Sequence, residues 1–243
     1  MCELCAAKAG EPRIARRNVL KLAAIATGLA IAPRAFAKET KAPPKPENVL
    51  SPDAALDRLM KGNTRYIDGL TKRHDFKHER EALSSGQNPF AAVLSCADSR
   101  IAPELCFDTA RGDVFVCRVA GNFANDDIVA SLEYAVAVLN TPLIMVLGHG
   151  ACGAVDATIK SIKDGTTLPG HLPSLVAALR PAVEAVKDKP GDLLANAIRS
   201  NVMLTVDKLK SAAPILKAAV DDKKIRVVGS VYELKTGRVE LLS

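Results

Sequence analysis

Residues 143–155 read LIMVLGHGACGAV, and the break inside this stretch decides which kind of α/β protein the chain is. The apolar run LIMVL has the pattern of a short strand buried on both faces. A helix-like pattern, AVDATIKSI, follows the break. Between them Gly148, Gly150 and Gly153 stand at G-x-G-x-x-G spacing, which in a strand–loop–helix can cradle a dinucleotide. A dinucleotide site also needs a second strand after the helix, ending in an acidic residue about 20 residues on. The sequence continues instead with DGTTLPGHLPSL, a loop and then another helix, with Asp164 in a turn. The glycine spacing is therefore not a nucleotide fingerprint. The chemistry left in the loop is that of His149 and Cys152.

Outward from this stretch, elements alternate. FAAVLSC reads as a strand ending at Cys96, and residues 113–119 as a second strand. NDDIVASLEYAVAVLN reads as a helix whose acidic first turn suits the helix dipole. Helices are expected near 151–163, 172–188 and 192–219, the last breaking or kinking before Pro214. KIRVVGSVYEL, a turn at Gly237 and RVELL read as two final strands. Upstream, Ser51-Pro52 starts an amphipathic helix that is expected to stop at Gly62-Asn63. Residues 73–87, RHDFKHEREALSSGQ, read as a polar, irregular arm. His74 and His78 lie four apart, as a helix-borne metal pair would, but without apolar backing or a third ligand nearby they read as solvated. Short apolar strands separated by helices predict one α/β domain over residues 50–243. It should have a mostly parallel central β-sheet flanked by helices, an N-terminal helical arm and a C-terminal strand pair.

The front end reads differently. Arg16-Arg17, then NVLK, a weakly apolar run to Ala32 and the small-x-small pattern Ala35-Phe36-Ala37 have the layout of a twin-arginine signal peptide over residues 1–37. That layout implies export to a bacterial periplasm. The apolar run falls short of the roughly 20 residues a bilayer needs. Residues 38–49, KETKAPPKPENV, read as a Lys/Pro-rich linker. The first 37 residues carry six basic and two acidic side chains, so +4 of the formal +6 leaves with them. Nucleic-acid recognition calls for a basic face, and little basic excess or aromatic surface remains for one.

Of six cysteines, Cys2 and Cys5 fall in the leader and read as incidental or export-related. Cys106 and Cys117 read as buried free thiols rather than a bridge. Cys96 ends one predicted strand, and His149 and Cys152 follow another. Parallel strands bring their carboxyl ends to one rim, where α/β sheets bind ligands, so these three residues can converge. Two thiolates and an imidazole suit zinc, and three protein ligands leave a fourth position open, as in catalytic zinc sites. On chemistry alone each cysteine also reads as a small buried hydrophobe.

CADSR at 96–100 and HGACGA at 149–154 resemble the paired signature, C-x-D-x-R and H-x-x-C-G, of the β-class carbonic anhydrases. The likeness continues in order through ALDRLMKGNTRY, GQNPFAAVLSCADSR, FVCRVAGN, SLEYAVAVL and GSVYELKTG, about residues 50–240. It implies one zinc per subunit on Cys96, His149 and Cys152, and reversible hydration of CO2 to bicarbonate and a proton by zinc-bound hydroxide. Asp98 and Arg100 become the catalytic pair. An arginine fork grips a carboxylate in two places and keeps Asp98 off the metal; released, Asp98 is a fourth ligand in a closed state. The resemblance makes Gln87, Phe115 and Tyr134 substrate-pocket residues supplied by a neighbouring subunit, in a homodimer or dimer of dimers. The Gly153 amide, at a helix start, suits bicarbonate. Because two thiolates offset the zinc charge, activity is expected to rise with pH and reach half-maximum above the value of about 7 of a three-histidine site. Ala97 departs from the common serine of the first motif. The chain has no tryptophan: Arg118 and Tyr232 fit two positions of the family's Trp–Arg–Tyr bicarbonate gate, but Val93 stands at the third, so an ungated enzyme is expected. Relatives that hydrolyse CS2 or COS keep the fold, and a non-catalytic zinc-binding protein is the reading from another class.

Overall fold

The computed structural model describes residues 44–242. The expected leader at 1–37, with Cys2 and Cys5, and the first part of the expected linker, 38–43, lie outside the described residues. The rest of that linker is docked: Pro46–Asn48 form a 3-10 turn, Asn48 is buried, and Lys45 pairs with Asp113 at 2.5 Å.

Helix α1 (Pro52–Ile67) starts as expected, with the Ser51 hydroxyl accepting the Ala54 amide. It does not stop at Gly62-Asn63. A Cβ on Gly62 would come within 1.9 Å of the Phe107 carbonyl oxygen, so glycine here permits close packing. The buried Asn63 side chain donates to the carbonyls of Cys106 (3.0 Å) and Gly237 (2.8 Å) and accepts the Val239 amide at 2.9 Å. Two residues that read as punctuation are contact residues, and tertiary contact overrides local preference. The arm at 73–87 is likewise not irregular. It contains helix α2 (Phe76–Leu83), capped by Asp75, which accepts the Lys77 and His78 amides at 3.2 Å.

Strand β1 (Ala91–Ser95), short helix α3 (Pro103–Cys106), strand β2 (Val114–Arg118), helix α4 (Asp126–Ala137) and strand β3 (Leu143–His149) follow. Then come helices α5 (Gly153–Asp164), α6 (Leu172–Glu184), α7 (Leu193–Ser211) and α8 (Ile215–Asp221) and strands β4 (Arg226–Tyr232) and β5 (Val239–Leu242). The helix expected at 192–219 breaks before Pro214, as its proline demands. The sheet order is β2-β1-β3-β4-β5, parallel except for β5 against β4.

Alternation along the strands divides the core. Val93, Leu143, Met145 and Leu147 face Leu56 and Leu59 of α1. Leu94, Ile144 and Val146 face Leu132 of α4 and Val202, Val206 and Leu209 of α7. Both faces are covered, as a parallel sheet requires. Cys106 belongs to the first cluster and Cys117 to the second, so the sheet separates these free thiols. Burial pushes the Cys106 thiol up to about 11. Helix α7 sits close because Gly148 and Gly229 leave room for Val202: a Cβ would meet its methyls at 2.6 and 2.8 Å. The register pairs Ser95 with Leu147. Cys96 therefore leaves β1 beside the end of β3, where His149 sits. No helix among the described residues is long and apolar enough to cross a membrane.

Candidate metal centre

The ligand atoms of Cys96, His149 and Cys152 lie within 4.8 Å of one another, and all three residues are buried. They sit at the carboxyl-end rim of β1 and β3, beside Val155, Leu179 and Ile198 of an apolar cluster. The His149 Nδ1 lies 2.8 Å from the Gly150 carbonyl. A carbonyl only accepts, so Nδ1 carries the proton and Nε2 presents its lone pair. That Nε2 is buried and has no protein partner. An orphaned buried acceptor costs about 1–3 kcal/mol, and beside two thiols it fits a metal ion. The thiols behave as a coupled pair. The Cys152 thiol's hydrogen bond and the Gly121 and Asp98 amides hold the Cys96 thiol well below its ordinary value against burial. The Cys96 sulfur and burial push Cys152 the other way. An ion that replaces both protons suits this pair.

Arg100 holds Asp98 in a bidentate grip. Nε donates to Oδ1 at 2.9 Å and Nη2 to Oδ2 at 2.7 Å, and the Arg100 amide adds a third bond to Oδ1 at 2.9 Å. The arginine fork and amide hold the Asp98 carboxyl well below the usual carboxylate range, against burial. Asp98 Oδ2 stands 3.8 Å from His149 Nε2. Gly153 opens α5 directly after Cys152, in open space.

The structure thus brings Cys96, His149, Cys152, Asp98 and Arg100 together, with Gly153 adjacent. Gln87 lies exposed in the loop before β1. Phe115 on β2 and Tyr134 on α4 meet each other, with ring centroids 6.4 Å apart. Among the described residues no hydrogen bond or ring contact joins these three to the cluster. His74 and His78 share no helix face, since α2 begins at Phe76. His78 Nδ1 pairs with Asp75 at 2.6 Å, and His74 lies 3.7 and 3.9 Å from Glu79 and Asp108. His74 lines a polar cavity of about 320 Å³ with Arg58, Arg65, Asp108 and Asp113. Its buried carboxylates are occupied by Arg65 and Lys45 at 2.5 Å, so the cavity is an ion-pair cluster fastening the N-terminal arm.

By its sequence, Arg118 fits only one position of an incomplete gate. It is a clamp, donating to the carbonyls of Cys96 (3.0 Å), Asp98 (2.8 Å) and Ile101 (2.9 Å). Its place opposite Ser95 in the β1–β2 register was the available signal. The buried Tyr232 has its hydroxyl on Tyr66 at 3.1 Å. The Gly121 amide points at Cys96 Sγ at 3.2 Å, a contact that no spacing announced.

The pattern of the carbonic anhydrase family matches residues 91–239. Carbonic anhydrase 2 of Mycobacterium tuberculosis is 36% identical over 192 residues, 79% of this chain and 93% of that protein. The solved β-carbonic anhydrase CcaA is 27% identical, with a TM-score of 0.60 over 77% of this chain and 95% of that one. Two tetrameric β-carbonic anhydrases of Sordaria macrospora share the fold; the match is 24% identical, with a TM-score of 0.61 over 78% of this chain and 98% of the solved chain. With a Cys–His–Cys cluster at the rim of a mostly parallel sheet, this chain belongs to the carbonic anhydrase family, in its β class.

Proposed function

We propose that this carbonic anhydrase interconverts CO2 and bicarbonate at a zinc ion held by Cys96, His149 and Cys152, as an exported, oligomeric enzyme. The observation that carries the reading is the buried, unpartnered His149 Nε2 beside two thiols, with the neighbouring carboxylate held by Arg100. Bound zinc supplies a Lewis acid that acidifies water and polarises oxygen. The chain's own residues do the rest. Arg100 fixes Asp98 so that Oδ2 faces the ligand triangle without joining it, and there it accepts a hydrogen bond from the attacking water. The Gly153 amide, at the positive end of α5, faces the anionic product. The apolar wall of Val155, Leu179 and Ile198 limits the water around the ligands.

Phe115 lies on the sheet's outer strand, and Tyr134 is 47% exposed. We read this aromatic pair as a face met by a second subunit, so that Gln87, Phe115 and Tyr134 of one chain complete the site of its partner. Tetramers among fold relatives favour that reading. Export rests on the layout of residues 1–37.

Stopped-flow CO2 hydration by the purified protein, before and after chelation and with Asp98→Ala, tests the proposal. Activity lost on chelation and restored by zinc supports it. Turnover of CS2 or COS without CO2 hydration would redirect the substrate, and stoichiometric zinc without turnover would make the chain a zinc-binding protein. Light scattering reads the oligomer. Fractionation of cells carrying Arg16→Lys with Arg17→Lys reads the export route.

A further inference from the structure

Helix α7 lies behind the metal centre, and one of its residues reaches the site through a single glycine. Asn201 is buried at 3% exposure, and its Nδ2 donates to the Gly121 carbonyl at 2.7 Å. Gly121 in turn donates its own amide to Cys96 Sγ at 3.2 Å. The glycine has little freedom to move. It holds φ +83°, and the next residue, Asn122, holds φ +41°, so the turn after β2 is left-handed at two successive positions. A Cβ at Gly121 would meet Leu179 Cδ1 at 2.8 Å. Leu179, Asn201 and Cys96 thus enclose one glycine and the two peptide groups that flank it. Seven residues beyond Asn201, on the same face of α7, Lys208 donates to the Ala124 carbonyl at 2.6 Å. The helix splints the 119–124 loop at two points.

We propose that Asn201 is a positioning residue for the metal centre, setting the direction of the Gly121 amide and through it the Cys96 sulfur. Groups that hydrogen-bond to metal ligands fix ligand orientation and donor strength, and their loss typically costs about 10–100-fold in metal affinity. An N–H aimed at a thiolate takes up part of its charge, so the bond shapes the sulfur as a donor as well as placing it. The inference rests on the zinc reading given above.

Asn201→Ala is compared with Val206→Ala, a truncation on the same buried helix that touches neither Gly121 nor a ligand. Zinc affinity by chelator competition should fall by about 10-fold or more in Asn201→Ala and stay within twofold in Val206→Ala. The sulfur-to-metal charge-transfer band of the cobalt-substituted protein should shift only in Asn201→Ala. In metal-free protein, hydrogen exchange of the Gly121 amide should accelerate by about 10-fold or more in Asn201→Ala, with other α7 contacts unchanged. Equal effects in both variants, or an unmoved Gly121 amide, would overturn the proposal. If the parent protein binds no zinc, the functional reading falls by that result, while the exchange arm still decides whether Asn201 governs Gly121.

Discussion

Arg100 holds Asp98 by both Nε and Nη2, and the same Nη2 reaches the Ala151 carbonyl at 3.2 Å. One guanidinium therefore ties the loop carrying Cys96 to the loop carrying His149 and Cys152. Lysine keeps the charge but has no fork, so Arg100→Lys should lose the grip and the tie together. Hydration activity should drop by about 100-fold in Arg100→Lys and Asp98→Asn, the low end of what a positioned acid–base group contributes. With Arg100→Ala, Asp98 loses its partner beside His149, and zinc-edge spectroscopy should report an added oxygen ligand. Full activity in Arg100→Lys would contradict this account.

Ala151 sits between His149 and Cys152 of the candidate metal cluster with φ +51°. That conformation costs an L-residue roughly 1–2 kcal/mol, while glycine adopts it freely but loses more entropy on folding. The two effects oppose, so Ala151→Gly should leave stability within about 1 kcal/mol of the parent. A β-branched side chain has no such compensation. Ala151→Val should destabilise by about 2 kcal/mol and weaken zinc binding, both measurable by denaturation and chelator competition.

Asp113 gives the fold a pH dependence of known sign. Burial raises its pKa, but the Lys45 ammonium at 2.5 Å, the Ala110 amide at 2.8 Å and Asn48 at 3.1 Å outweigh that and lower it below its ordinary value. A carboxylate with a depressed folded pKa adds stability that is fully present above its unfolded value of about 3.9 and is lost as pH falls through the folded value. Asp113→Asn should therefore destabilise by about 3 kcal/mol near neutrality, the low end for breaking a buried pair. The gap to the parent should narrow below about pH 4. Urea denaturation at several pH values measures it, and a gap independent of pH would refute the assignment.

The sheet and the convergence of Cys96, His149 and Cys152 were legible in the sequence for one physical reason. Strands buried on both faces read as apolar runs, and parallel strands deliver whatever follows them to one rim. LIMVL and AAVLS could be read, and with them Cys96, His149 and Cys152. Asn201 and Gly121 were illegible because a buried amide and a glycine have no periodic signature. Their meaning lies in a contact spanning 80 residues of chain. Arg118 was legible only in part: its family likeness pointed to one position of an incomplete bicarbonate gate, and nothing local announced that its Nε and Nη2 close on the backbone of the Cys96 loop.

Gly62 shows the same limit and can be tested directly. Local preference favours Ala over Gly inside a helix by about 1 kcal/mol, and by that measure Gly62→Ala should stabilise α1. The fold opposes it, since the added methyl would stand 1.9 Å from the Phe107 carbonyl oxygen, a backbone atom that cannot swing aside. The helix would have to lift from the 107 loop, straining the Asn63 bonds to Cys106, Gly237 and Val239. Overpacking of this kind costs about 1–3 kcal/mol or more, which exceeds the propensity gain. Gly62→Ala should lower the urea midpoint, whereas Lys61→Ala, one residue away and exposed, should change it little. A Gly62→Ala protein as stable as its parent would mean that α1 does not press on Phe107.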